Sequence, residues 1–294
     1  MRLLIGLMWL LHWLPLPILG RLGEALGWLL YLYMRPRRRI TLINLRLCFP
    51  EKTEQERRLI ARRHFQAYAR SALERGILWW APESRLKRLI QVEPGIPFET
   101  LNKGPTILLC PHFVCLEIPG IALVLNSDYS VCTIYARQQN EVVDQALLKG
   151  RSRFRPVTLL AREKGVKPII RAMREGLPFI MLPDMDFGTR DAEFVPFFGV
   201  PAATLTATAR IAAATGASVV PVITTFLPGY RGWKTTFHPA WENYPGDDIV
   251  AATRRMNAFI EERVLEAPAE YFWAHKRFKN RPPGEPDLYR KGQH

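Results

Sequence analysis

Cysteine is scarce: the 294 residues contain four, Cys48, Cys110, Cys115 and Cys132, with no CxxC pair among them. That excludes a disulfide-stapled secreted domain and fits reduced thiols in a cytosolic compartment. Cys110, His112 and Cys115 bring metal-capable side chains together, but the second half of a zinc site is missing, so no metal is expected. Acidic residues are also in deficit, 27 against 41 Lys and Arg, a formal charge of +14. Such an excess attracts anionic partners: nucleic acid, anionic lipid, phosphorylated substrates or an acidic protein. No zinc-finger spacing and no internal repeat accompany it, and the arginines are scattered through an apolar pattern, so nucleic acid is not expected. Charge is absent altogether from residues 3–19. A small-residue cleavage site is missing after that run and apolar sequence resumes at once, which argues against a cleaved signal peptide.

Hydrophobic residues make up 48% and charged residues 23%, a composition that folds. The length suits one large α/β domain with a small appendage. The charge-free N-terminal run carries Trp9 and Trp13, and a second apolar stretch over residues 22–34 is broken only by Glu24. The first run is at the short end for a spanning helix, and Pro15 and Pro17 kink or stop a helix there. Two anchoring arrangements follow: a single tilted span, or an interfacial hairpin lying in one leaflet. A buried core helix is the third reading. Arg35, Arg37, Arg38 and Arg39 follow, so the positive-inside rule puts everything after Arg35 on the cytoplasmic side, and the same cluster suits anionic headgroups.

Residues 51–80 read as a helix capped by Thr53 with Glu56 three residues on. From Pro105 short apolar runs alternate with amphipathic stretches. Residues 106–110, 131–136, 157–160, 178–182 and 218–226 read as strands; 141–149, 166–175, 204–214 and 247–266 read as helices. This alternation predicts an α/β fold: a single mixed-sheet domain with flanking helices behind an N-terminal membrane-anchoring helix. The expected organisation is an anchor over residues 1–34, a catalytic domain over 35–283 and a loose tail, rich in proline and charge, over 284–294.

The most informative segment runs from Ile107 to Glu117. An apolar strand ends at Pro111, His112 follows, and Glu117 stands five residues later. On one regular helix that spacing turns the two side chains about 140° apart. They meet only if His112 lies on the strand–helix turn, a boundary that Pro111 favours. An imidazole titrating near neutrality suits removal of a proton from an alcohol, and Glu117 is the candidate to orient the ring and stabilise the imidazolium.

His112-x4-Glu117 after an apolar strand resembles the His-x4-Asp/Glu signature of the glycerolipid acyltransferase superfamily. Further blocks resemble the bacterial lipid A biosynthesis (late) acyltransferases. They are Asn44-Leu45-Arg46-Leu47-Cys48-Phe49-Pro50, Gly150-Arg151-Ser152-Arg153 with Leu160-Ala161-Arg162-Glu163, Pro183-Asp184-Met185-Asp186-Phe187-Gly188 with Phe194-Val195-Pro196-Phe197-Phe198-Gly199, and Tyr271-Phe272-Trp273-Ala274-His275-Lys276-Arg277-Phe278-Lys279. Met185 departs from the pattern, standing where family members commonly carry a polar residue.

The resemblance implies transfer of an acyl group from acyl carrier protein to the hydroxyl of a 3-hydroxyacyl chain on a (Kdo-)lipid A precursor, a phosphorylated glycolipid. The setting is the inner membrane, with the catalytic domain facing the cytoplasm. No cofactor is expected, since the acyl-acyl carrier protein thioester is the activated donor. A strongly basic chain suits both the acidic carrier protein and the phosphorylated acceptor. In this reading His112 is the general base and Glu117 its orienter. Arg151, Arg153 and Arg162 are candidates for the oxyanion or for acceptor phosphates. Asp184 and Asp186 follow a strand end and either position sugar hydroxyls or buttress an arginine. Phe194, Phe197 and Phe198 line the core or an acyl tunnel, and His275 with Arg277 and Lys279 is a further phosphate candidate. The alternatives are transfer to another membrane lipid (a phosphatidylinositol mannoside, an ornithine lipid or a lysophospholipid) and an inactive membrane-surface binding protein.

Overall fold

The structure, a computed structural model, describes residues 1–161 and 165–290. Five helices come first: α1 (Arg2–Leu11), α2 (Leu16–Tyr33), α3 (Arg35–Cys48), α4 (Glu54–Trp80) and α5 (Glu83–Leu89). The prolines divide the apolar N-terminus. Pro15 is the N-cap of α2 and Pro17 sits in its first turn, where a missing N–H costs nothing. α1 is therefore only 10 residues long, and among the described residues no helix is long and apolar enough to cross a membrane. α4 begins on the expected capping box, with Thr53 Oγ1 accepting from the Glu56 amide and Glu56 Oε2 accepting from the Thr53 amide at 2.7 Å.

After β1 (Ile90–Pro94) and β2 (Thr106–Leu109) the chain alternates. α6 (Ile118–Asn126), β3 (Val131–Tyr135), α7 (Glu141–Arg151), β4 (Val157–Ala161), α8 (Lys167–Arg174) and β5 (Phe179–Met181) follow in turn. A hairpin of β6 (Ala192–Phe197) and β7 (Val200–Leu205) leads to α9 (Ala207–Thr215), β8 (Ser218–Phe226), β9 (Trp233–Phe237) and α10 (Ile249–Glu266). Seven strands form one sheet in the order β1-β9-β8-β2-β5-β3-β4, and β6 with β7 forms a second. Only the β8–β9 pair of the large sheet is antiparallel. The expected mixed-sheet α/β domain is the architecture found.

Successive side chains of a strand point to opposite faces, and β2 serves two cores. Ile107 and Leu109 join the cluster with Phe179, Val219 and Ile260, whereas Leu108 joins the one with Ile121, Val220 and Phe237. A sheet buried on both faces explains why β2 reads as a continuous apolar run. The end of the described chain is tied down where the sequence suggested a loose tail. Tyr289 is buried, its phenol bonds Asn44 Oδ1, and Arg39 donates to the carbonyls of Tyr289 and Arg290 at 2.7 Å each.

Candidate active site

β2 and β5 are parallel neighbours in register, with Leu109 opposite Met181. Each leaves the sheet through a proline, Pro111 or Pro183, and carries its functional residue three positions past that pair. The register therefore brings His112 and Asp184 side by side beyond the carboxyl ends of the strands, the usual ligand edge of such sheets. Asp184 Oδ1 lies 2.7 Å from His112 Nδ1, and its Oδ2 accepts the His112 amide at 2.9 Å. Both oxygens of a fully buried carboxylate thus fix one histidine, backbone and ring together. Burial works to raise the Asp184 pKa, but the charge and hydrogen bonds of His112, with Arg277, outweigh it and hold the carboxyl below its usual range. The carboxylate leaves Nδ1 as the protonated nitrogen in the neutral ring and directs the free electron pair to Nε2.

Glu117 was expected to orient that ring. In the structure its carboxylate instead makes a fork with Arg151, Oε2 accepting from Nε at 2.9 Å and Oε1 from Nη2 at 2.6 Å. The reason is the turn of backbone between residues 113 and 117. Glu117 sits at the N-terminus of α6, and α7 delivers Arg151 from its last position. Burial opposes the Glu117 charge, yet Arg151, with Arg75 adding, holds the carboxyl below its usual range. Burial likewise opposes the Arg151 charge and Glu117 more than offsets it.

His112 and Arg151 both line a cavity of about 330 Å³. Its walls are mostly apolar: Leu116, Ile134, Leu147, Ile180, Leu182 and Phe187 contribute, with Thr133 and Tyr135. A smaller pocket of about 60 Å³ continues past Arg151 and Glu117 toward Gly120, Ile121 and Val124 of α6. One imidazole and one guanidinium thus face a mostly apolar space, the usual make-up of a small-molecule site.

The other expected site residues lie elsewhere. Arg153 donates to the Leu78 and Ala81 carbonyls at the end of α4. Arg162 lies outside the described residues. Asp186 is buried and spends its carboxylate on the amides of Gly188 (3.0 Å) and Asn280 (2.7 Å) and on the Asn280 side chain. Its own amide donates to His275 Nε2 at 3.2 Å. Burial, followed by the charge of His112, pushes the His275 pKa down to about 4, so this ring is a neutral acceptor bracing the Asp184–Asp186 turn. Arg277 is buried against the Ala203 carbonyl and Thr204. Phe197 belongs to the core with Phe278 and Tyr271, whereas Phe187 and Leu205 line the cavity. The conspicuous residue that sequence reasoning missed is Asp184 as the partner of His112. The signal was available: Cys-Pro-His and Leu-Pro-Asp each end an apolar strand.

A histidine braced by a buried carboxylate thus stands with an arginine at the wall of a mostly apolar cavity on an α/β sheet. The model of the bacterial lipid A biosynthesis acyltransferase family matches residues 1–280, and the chain belongs to that family. It is 34% identical to the lipid A biosynthesis lauroyltransferase of Escherichia coli (strain K12), over 97% of this chain and 93% of that protein. Identity to the lipid A biosynthesis myristoyltransferase of the same organism is 34%, over 94% and 84% of the two chains. Identity to its palmitoleoyltransferase is 30%, over 97% and 92%. The protein is thus an acyltransferase of lipid A biosynthesis type.

Proposed function

We propose that this chain is a late acyltransferase. It moves a fatty acyl chain from acyl carrier protein to the hydroxyl of a 3-hydroxyacyl chain on a (Kdo-)lipid A precursor, at the cytoplasmic face of the inner membrane. The observation that carries this reading is the His112 ring, held through Nδ1 by a buried carboxylate, beside Arg151 at the wall of an apolar cavity.

The acyl chain of the donor occupies the cavity, with its thioester carbonyl near His112 and Arg151. Nε2 of His112 takes the proton of the acceptor hydroxyl as its oxygen attacks the carbonyl carbon. The C–O bond forms, and the negative charge moves to the carbonyl oxygen, where Arg151 stabilises it. Collapse breaks the C–S bond, and the proton passes from His112 to the departing thiolate of the carrier. Asp184 orients the ring and faces the positive charge that forms on it as the proton arrives. Glu117 acts through Arg151 as a positioning residue, since it grips two guanidinium nitrogens in one plane. The thioester supplies the activation, so the mechanism calls for no metal and no nucleotide.

The test is purified protein with acyl carrier protein loaded with C10 to C16 chains and a tetra-acylated lipid A precursor, read by mass spectrometry. A product heavier by one acyl chain and lost in His112→Ala is the expected result. Acylation of a lysophospholipid or another glycolipid, with none of the precursor, overturns the acceptor assignment. Survival of activity in His112→Ala overturns the base assignment.

A further inference from the structure

A second cavity opens at the same edge of the sheet as His112. β8 is the parallel neighbour of β2, so Phe226 at its carboxyl end reaches that edge, the side on which α/β sheets hold ligands. Phe226 lines a cavity of about 470 Å³, walled by Glu24 of α2, Arg63, Gln66 and Arg70 of α4, Tyr230 of the β8–β9 turn, and Glu270. It shares no lining residue with the cavity at His112. One short pairing joins the two walls. The Val114 amide donates to the Glu270 carbonyl at 2.8 Å, and the Phe272 amide to the His112 carbonyl at 2.9 Å. Glu270 therefore stands two residues, about 7 Å of extended chain, from the residue bonded to His112.

Its polar groups are fixed in place and only partly used. Arg70 is 6% exposed, with its guanidinium 3.9 Å from the centre of the Phe226 ring and 4.9 Å from that of Tyr230. Glu74 accepts from its Nε at 2.6 Å, while Nη2 has no hydrogen-bond partner among the described residues, a costly state for a buried donor. Arg63 is exposed at the rim, and among the described residues no hydrogen bond or ion pair occupies it. Glu24 accepts from the Tyr230 hydroxyl at 2.8 Å, and Arg21 lies 5.5 Å from the centre of that ring. Burial pushes the Glu74 and Glu270 carboxyls up to about 7 against the pull of Arg70, so at neutral pH the arginines outweigh the carboxylates.

We propose that this cavity is a second binding site, for a phosphorylated sugar headgroup, and that it holds the acceptor lipid while the acceptor hydroxyl reaches His112. The role in acylation rests on the reading that the acceptor is a lipid A precursor. Guanidinium groups take phosphate oxygens through paired N–H donors. The Glu24 and Glu270 carboxyls and the Gln66 amide suit the hydroxyls of a sugar ring, whereas a bare phosphate would meet the Glu24 charge with nothing to offset it. The two cavities then divide the substrates: the mostly apolar one takes the donor chain, and the polar one takes the acceptor headgroup at the far side of the pairing that carries His112.

Glucosamine 1-phosphate is the soluble probe, measured by calorimetry on the full chain in detergent, with melting curves to verify folding. Arg63 is exposed, so its replacement spares the core. Binding to wild type that weakens at least tenfold in Arg63→Ala and is lost in Arg63→Glu is the expected result. No binding to wild type, or equal affinity in all three proteins, overturns the site. Glycerol 3-phosphate bound as tightly as the amino sugar means that any lipid phosphate is read, and overturns the sugar assignment. In the acylation assay Arg63→Ala should raise the KM for the tetra-acylated precursor about tenfold, with the donor KM within twofold. That rise should vanish with a precursor stripped of its phosphates; an equal rise for both precursors overturns the phosphate contact. Calorimetry needs no turnover, so the two readings fail separately. A protein that binds the probe through Arg63 but acylates no lipid A precursor loses the proposed reaction and keeps the site. One that acylates the precursor with an unchanged KM in both Arg63 variants keeps the reaction and loses the site.

Discussion

Asp184→Asn is the substitution that best tests the site. The amide fills the same volume, accepts the His112 amide through its oxygen, and removes one negative charge from a fully buried position. The charge faces a ring that becomes an imidazolium as the hydroxyl proton arrives. With about 4 Å between charge centres and an effective dielectric near 20, that interaction is worth about 4 kcal/mol. A transition state deprived of it slows by roughly three powers of ten. With its oxygen on the His112 amide, the side chain turns its NH2 toward Nδ1 and favours the tautomer protonated at Nε2, which adds to the loss. The assay is kcat with a saturating acyl-acyl carrier protein donor and lipid A precursor, for wild type, Asp184→Asn and Glu117→Gln, with melting curves to verify folding. Asp184→Asn should lose about 10³ in kcat with its KM for either substrate within a few-fold. Glu117→Gln should lose less, because Gln still accepts one Arg151 hydrogen bond. If Asp184→Asn stays within about threefold of wild type while Glu117→Gln loses three orders, the ring is oriented by Glu117 during turnover and the argument from the ground-state geometry fails.

Arg151→Lys keeps the charge but loses the two-point grip of Glu117. It should lower kcat by about 10- to 100-fold with little change in donor KM, and a wild-type kcat removes Arg151 from the reaction. Asn44→Ala deletes the donor to the Trp273 and His275 carbonyls and the acceptor of the Tyr289 hydroxyl. At about 1 kcal/mol or more for each orphaned group, the Tm should fall by roughly 10 °C; a shift under 2 °C refutes the clamp. Burial pushes Glu270 up to about 7, against the bond from the Phe226 amide and the charge of Arg70. Below the unfolded pKa of about 4.3 both states hold the proton; above it only the folded state does, so the contribution to stability is lost as pH rises toward 7. Glu270→Gln should therefore raise the unfolding free energy more at pH 8 than at pH 5, by a difference on the order of 2 kcal/mol, and equal changes at the two pH values refute the assignment.

The parts of the site that sequence made legible are those with a local cause. An apolar strand closed by Pro111 puts His112 on a turn whatever the rest of the chain does, and the Thr53–Glu56 box starts α4 by itself. What stayed hidden depends on register or on distant helices. Asp184 reaches His112 only because β5 lies beside β2 in parallel, although β3 and β4 intervene in sequence. Arg151 claims Glu117 from 34 residues away, so the five-residue interval between His112 and Glu117 carries no trace of it. The arginine run 35–39 reads as a headgroup cluster, yet Arg37, Arg38 and Arg39 donate to the carbonyls of Ala274, Tyr31 and Tyr289. The β6–β7 hairpin was missed because its ladder contains Pro196 and Pro201, residues that argue against a strand. Its turn also uses Phe198 at φ 51° before Gly199 at φ 76°, where an Asn-Gly pair is the readable signal.

One helix connects the N-terminal helices to the residues around His112. α4 receives the glycine face of α2 on one side. On another, Ser71 donates to the Val114 carbonyl at 2.5 Å, in the turn between His112 and Glu117, whose Val114 amide is bonded to the Glu270 carbonyl at 2.8 Å. At its end Trp79 packs so tightly on Gly150 that a β-carbon there would lie 2.2 Å from the indole, one residue before Arg151. His112, Arg151 and α2 are therefore all attached to α4. Gly150→Ala on α7 and Gly23→Ala on α2, each pressed against α4, should both lower kcat, which independent modules would not do.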